Sequence, residues 1–71
     1  MTRRFEFVGG TSAKFYEVIV AGSSVTVRYG RLGTNGQTLT KSLADAASAQ
    51  RHADQLIAKK LAKGYRECVA S

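Results

Sequence analysis

VRYGRLGTNGQ, residues 27–37, carries two arginines, one tyrosine and three glycines within one short stretch. Val27 and Tyr29 continue an alternation that begins at Val25, with Thr26 and Arg28 on the opposite parity. The stretch therefore opens as the end of a strand, VTVRYGRL at 25–32. GTNG at 33–36 then signals a turn, because Asn and Gly both accept the positive φ that primed hairpin turns require. TLTKSL at 38–43 returns as the next strand. Gly30 interrupts the strand pattern, which marks a place where another backbone or a ligand approaches closely.

The same period of two runs upstream. RFEFV at 4–8 puts Phe5 and Phe7 on one face, and GGTS at 9–12 breaks it. KFYEVIVA at 14–21 sets Tyr16, Val18 and Val20 against Phe15, Glu17 and Ile19, the pattern of a strand buried on one face and partly covered on the other. AGSS at 21–24 turns the chain into the Val25 strand. From Asp45 the period lengthens to about 3.6: Ala46, Ala49, Ala53, Leu56, Ile57 and Leu61 share one face, and Arg51, Gln55, Lys59 and Lys63 another. Asp45 reads as the N-cap and Gly64 as the C-terminal stop. Lys59, Lys60 and Lys63 suit the negative end of the helix dipole. The expectation is a single α+β domain over 1–71, a small four-stranded antiparallel sheet followed by one amphipathic helix packed on it.

Eleven Lys and Arg against five Asp and Glu give a formal charge of +6 and a pI near 10.0. A polyanionic partner follows from that balance, though solubility alone also favours basic surfaces. A chain of 71 residues has little volume from which to carve a substrate-enclosing cleft. The carboxylates bear this out. Asp45 and Asp54 are two and a half helical turns apart, and His52 and Asp54 point in different directions. No enzyme is expected. One Cys, Cys68, and one His fall short of the four ligands of a structural zinc, so no metal and no cofactor are expected, and a reducing setting is. Gly30, Gly33 and Gly36 match neither a dinucleotide loop nor a P-loop and read as structural turn residues. MTRRFEF lacks the apolar core of a signal peptide, and no stretch reaches membrane-spanning length, so a cytoplasmic protein is expected.

The remaining chemistry is an aromatic between guanidiniums. Arg28 and Arg31 offer charge for phosphate oxygens and Tyr29 a flat face for a base or sugar. Lys41 on the fourth strand and Arg51, Lys59 and Lys63 on the helix extend the basic surface. Tyr29 shares the parity of Val25 and Val27, and so equally fits a core position with Arg28 and Arg31 solvated at a strand end. DNA, bound through its backbone or ends without sequence specificity, is the first expectation. A protein-binding or self-associating adaptor, working through a sheet edge or the Tyr29–Arg31 surface, is the second.

At these residues the chain resembles the WGR domain, a module named for a Trp-Gly-Arg triplet, found alone in bacteria and within ADP-ribosyltransferases that respond to DNA breaks. YGRLGTNGQ at 29–37 resembles its WGR-[IV]-G-T-x-G-Q signature, KFYEV at 14–18 its second strand, and KGYRE at 63–67 the Lys-Gly-Tyr that closes its helix. Leu56, Ile57 and Lys60 fit the same pattern. The name-giving Trp is Tyr29 here, a variant associated with stand-alone bacterial members. The resemblance implies a WGR-like fold, and roles near a DNA end for Tyr29 and Arg31.

Overall fold

The computed structural model describes residues 2–68. Strands β1 (Thr2–Gly9), β2 (Ser12–Ala21), β3 (Ser24–Arg31) and β4 (Gln37–Ser42) form an antiparallel meander. Helix α1 (Ala46–Ala62) follows, and a short β5 (Arg66–Cys68) returns to β1, so the sheet order is β4-β3-β2-β1-β5. The α+β class is as expected. The sheet has five strands rather than four, because Arg66–Cys68 is too short and too polar to show an alternation of its own.

The parity read from the sequence sorts the sheet into two faces. Phe5, Tyr16, Val18 and Val25 lie on the helix side and pack against Ala49, Ala53 and Ile57. Small alanines let α1 approach the sheet closely, and Ile57 fills the space nearer its C-terminal end. Leu56 is only partly buried and Leu61 is exposed, so the apolar stripe of the helix is narrower than its sequence implies.

Both helix ends are closed as expected. Asp45, in extended backbone, accepts from the Ser48 amide at 2.7 Å, and this bond holds its carboxyl below the usual range. At the other end the Tyr65 amide donates to Lys60 O and the Gly64 amide to Leu61 O, a Schellman motif. That motif turns the chain toward β5, where Arg3 grips Glu67 with bonds of 2.7 and 2.6 Å.

The open face of the sheet carries its own small core. Phe15 is only 1% exposed although it points away from the helix. The guanidiniums of Arg4 and Arg28 lie over its ring at 4.8 and 5.2 Å. The β3–β4 connection closes the remaining side, since a Cβ at Gly36 would stand 2.7 Å from the Phe15 ring and against the Tyr29 carbonyl. Gly30 is equally necessary: a Cβ there would meet Gly36 Cα at 2.8 Å. The close backbone approach read at Gly30 is thus made by the chain's own loop. That loop is not a primed two-residue turn. Thr34 N donates to Arg31 O at 3.1 Å with Gly33 at φ +87° between them, the third-position requirement of a type II turn. Asn35 is not at positive φ.

Candidate functional site

The strand register divides Arg28 from its neighbours. Residues paired across antiparallel strands share a face, and Arg28 pairs with Glu17 while Tyr29 pairs with Tyr16 and Arg31 with Lys14. Arg28 therefore sits on the open face. Its Nε donates to Glu17 at 2.7 Å, and one terminal nitrogen reaches Asn35 O at 3.4 Å. Arg4 donates to the same carboxylate at 3.1 Å and to Glu6 at 3.2 Å. The Glu17 side chain is 15% exposed, and the bond from Arg28, then that from Arg4, holds its carboxyl below the usual glutamate range against the opposing effect of burial.

On the helix face the arrangement is different. Lys14 and Arg31 stand opposite each other, a like-charged pair that costs stability unless something offsets it. Lys60 reaches them from α1. Its ammonium lies 4.7 Å from the Tyr16 ring and 5.3 Å from the Tyr65 ring. Desolvation, followed by the nearby charges of Lys63 and Lys14, depresses the Lys60 ammonium below the ordinary lysine value. Two adjoining depressions share Lys14, Lys60 and Tyr65. One, of about 230 Å³, also takes in Tyr16, Tyr29, Gly30 and Arg31. The other, of about 290 Å³, takes in Phe7 and Lys63. No carboxylate lines either depression, and among the described residues no carboxylate pairs with Lys14, Arg31, Lys60 or Lys63. Four cations around tyrosine rings make a basin suited to an anion bearing a flat apolar group.

Of the residues singled out by sequence, Tyr29 and Arg31 line this basin beside Gly30, and Lys63 lies at its rim. Tyr29 is half-buried against the core and donates to Gln37 Oε1 at 3.2 Å, so it serves both as packing and as basin wall. Lys41 is on the edge strand, Arg51 and Lys59 are on the helix side opposite its buried alanines, and Arg28 is on the other face of the sheet. Sequence patterning did not single out Lys14 as a partner of Arg31, or Lys60 and Tyr65 as basin groups. The available signal was the lysine at the head of KFYEV, which shares parity with Tyr16 and so with the helix face.

Among the described residues no set of three His, Cys, Asp or Glu side chains could hold a metal ion. Among the described residues no helix is long and apolar enough to cross a membrane.

Two curated proteins of Escherichia coli K12 are similar to this chain. YehF is 40% identical over 65 residues, covering 92% of this chain and 24% of its own length. YfeS is 36% identical over 67 residues, covering 94% and 28%. The chain thus spans about a quarter of the length of these relatives. A crystal structure of a Bacteroides fragilis protein superposes with a TM-score of 0.94 at 45% identity, covering 97% of this chain and 20% of that one. The WGR domain model matches residues 1–70, essentially the whole sequence, and the chain belongs to the WGR domain family.

Proposed function

We propose that this chain is a non-enzymatic nucleic-acid-binding module that holds phosphates of DNA, along the backbone or at an end, in the basin of Lys14, Arg31, Lys60 and Lys63. WGR domains are modules of nucleic-acid-binding type, and the observation that carries the reading for this chain is the convergence of unneutralised cations on tyrosine rings. The guanidinium of Arg31 takes two phosphate oxygens at once, and the ammonium of Lys60 supplies a point charge beside them. Tyr29 and Tyr65 offer rings against which a terminal base or sugar packs. Arg51 and Lys59 extend the cationic surface along α1, and Lys41 is a distant contributor on β4. Arg28 enters the proposal as scaffold, since it is held by Glu17 and reaches Asn35 O of the β3–β4 loop on the open face. On α1 the cationic stripe of Arg51, Gln55 and Lys59 holds one neutral base-reading side chain, Gln55, so binding is expected without sequence preference.

The test is a titration of labelled duplex, with and without a 5′ phosphate, at two salt concentrations. Release of counterions by four cations gives a slope of log K against log salt of about −3 to −4. Absence of binding at low salt, or a slope near zero, would overturn the proposal. Recovery of a sharp consensus sequence by selection would contradict the lack of sequence preference.

A further inference from the structure

A second feature lies on the helix face at the β4 edge, on the far side of Tyr16 and Tyr29, which line both it and the basin. An apolar groove of about 270 Å³ opens between β4 and α1, floored by Val27, Tyr29 and Leu56 and rimmed by Leu39, Lys41 and His52. Leu39 is 60% exposed, and every residue of β4 is exposed. The backbone of this strand is available in a defined pattern. Leu43 N donates to Ser23 O, which makes that aligned pair a hydrogen-bonded one. Alternation then directs the amides and carbonyls of Gln37, Leu39 and Lys41 toward β3, and those of Thr38, Thr40 and Ser42 outward from the sheet. Apart from Lys41, whose charge repels a basic strand and admits an acidic one, the edge carries neither of two other devices that block an added strand, a proline or a bulge.

We infer that β4 receives an extended segment of a partner protein as a sixth strand, with an apolar side chain of that segment entering the groove beside Leu39 and a carboxylate facing Lys41. Charge selects the occupant. No acidic residue lines the groove, and Lys41 stands on the same side of β4 as Leu39, so an incoming strand that alternates toward the helix meets first an apolar and then a cationic neighbour. A second copy of this chain is disfavoured by the same argument. Antiparallel pairing of two β4 strands would bring two Lys41 side chains to one short ladder and two protomers of charge +6 together, with no acid to offset them. Strand β5 is at the opposite edge of the sheet. Leu39 and Lys41, the side chains that would receive the strand, line neither depression of the basin.

The experiment uses the whole chain and the synthetic peptide acetyl-Glu-Thr-Val-Thr-Val-amide, which in antiparallel register sets Glu opposite Lys41 and Val opposite Leu39. Amide exchange followed by NMR is expected to slow at Thr38, Thr40 and Ser42 when the peptide is added. Replacing the peptide Glu by Lys is expected to weaken binding about fivefold. Thr40→Pro removes an outward donor while sparing the ladder to β3, and is expected to weaken binding about tenfold or more. Leu39→Lys, at a position outside the buried core, is expected to do the same. Protection at other amides, or affinity unchanged in Leu39→Lys, would overturn the proposal. So would a dimer in sedimentation that Thr40→Pro dissociates, since the edge would then serve a second copy.

Discussion

The two faces of the sheet carry similar ingredients and use them differently. On the open face, Arg4 and Arg28 lie over Phe15, and Glu17 accepts from both. On the helix face, Lys60 lies over Tyr16 and Tyr65 and meets Lys14, Arg31 and Lys63 with no carboxylate among them. Each face stacks cations on aromatic rings. The open-face cluster is internally neutralised and so closes on itself, covering a buried phenylalanine. The helix-face cluster is left with uncompensated charge and a lysine whose proton is held less tightly than usual. A count of basic residues does not distinguish the two, whereas the position of Glu17 does.

The largest expected effect lies on the open face, where the loop rests on Phe15. Gly36→Ala forces a side chain into positive φ and against the Phe15 ring and the Tyr29 carbonyl, and should cost about 3 kcal/mol or more by denaturant unfolding. Gly33→Ala meets open space, so only its φ of +87° opposes it, and a loss of about 1 kcal/mol is expected. Equal losses in the two variants would show that the loop does not pack on Phe15.

The arginines give the direct contrast. Arg31→Ala should lower duplex affinity about tenfold and leave the melting temperature nearly unchanged. Arg28→Ala should lower stability by about 1–2 kcal/mol with affinity within about twofold of the parent. An exchange of these outcomes would move the interface to the open face.

Acid should separate the faces again. Folding depresses the Glu17 carboxyl, so its contribution is fully present above the unfolded value of about 4.3 and is lost as pH falls through the lower folded value. Glu17→Gln should be less stable at neutral pH and should show a shallower fall in stability below about pH 4. An unchanged acid profile would mean that the arginines do not hold the carboxylate in solution.

The smallest effect is the titration of Lys60. Its folded value lies below the unfolded one, so its charged form weakens folding and this penalty is relieved as pH rises through the folded value. Inorganic phosphate in the basin should raise that value, read from the side-chain resonances by NMR. An equal rise with sodium chloride at matched ionic strength would indicate nonspecific screening.

Much of this fold was legible as periodicity. The alternation through Tyr16, Val18, Val25, Val27 and Tyr29 placed the core face, and Asp45 and Gly64 marked the helix ends. The same alternation already put Arg28 on the side opposite Tyr29, yet adjacency in sequence grouped Arg28, Tyr29 and Arg31 as one surface. Neighbours along a strand point apart, and the period of two outranks proximity in the chain. Lys14 and Lys60 were beyond local reading, because only the β2–β3 register and the docking of α1 bring them together. Strand β5 was beyond it for another reason: three residues, two of them charged, are too few to show a period, and their place is set by the Schellman turn before them and by the Arg3–Glu67 pair.

The position of β5 also bears on how the chain assembles. The hairpins of the meander join neighbours in sequence, with register partners Gly9 and Ser12 at one turn and Ala21 and Ser24 at the next. Pairing of Arg4 with Cys68 instead joins the two ends of the described chain. Such a closure carries a large loop entropy and is rewarded only after the sheet and α1 are in place. Formation of β5 is therefore expected as the last step of folding and its release as the first step of unfolding. Native-state hydrogen exchange should show this as faster opening at Arg66–Cys68 than in β2 and β3, and Glu67→Ala should accelerate unfolding while leaving the folding rate unchanged.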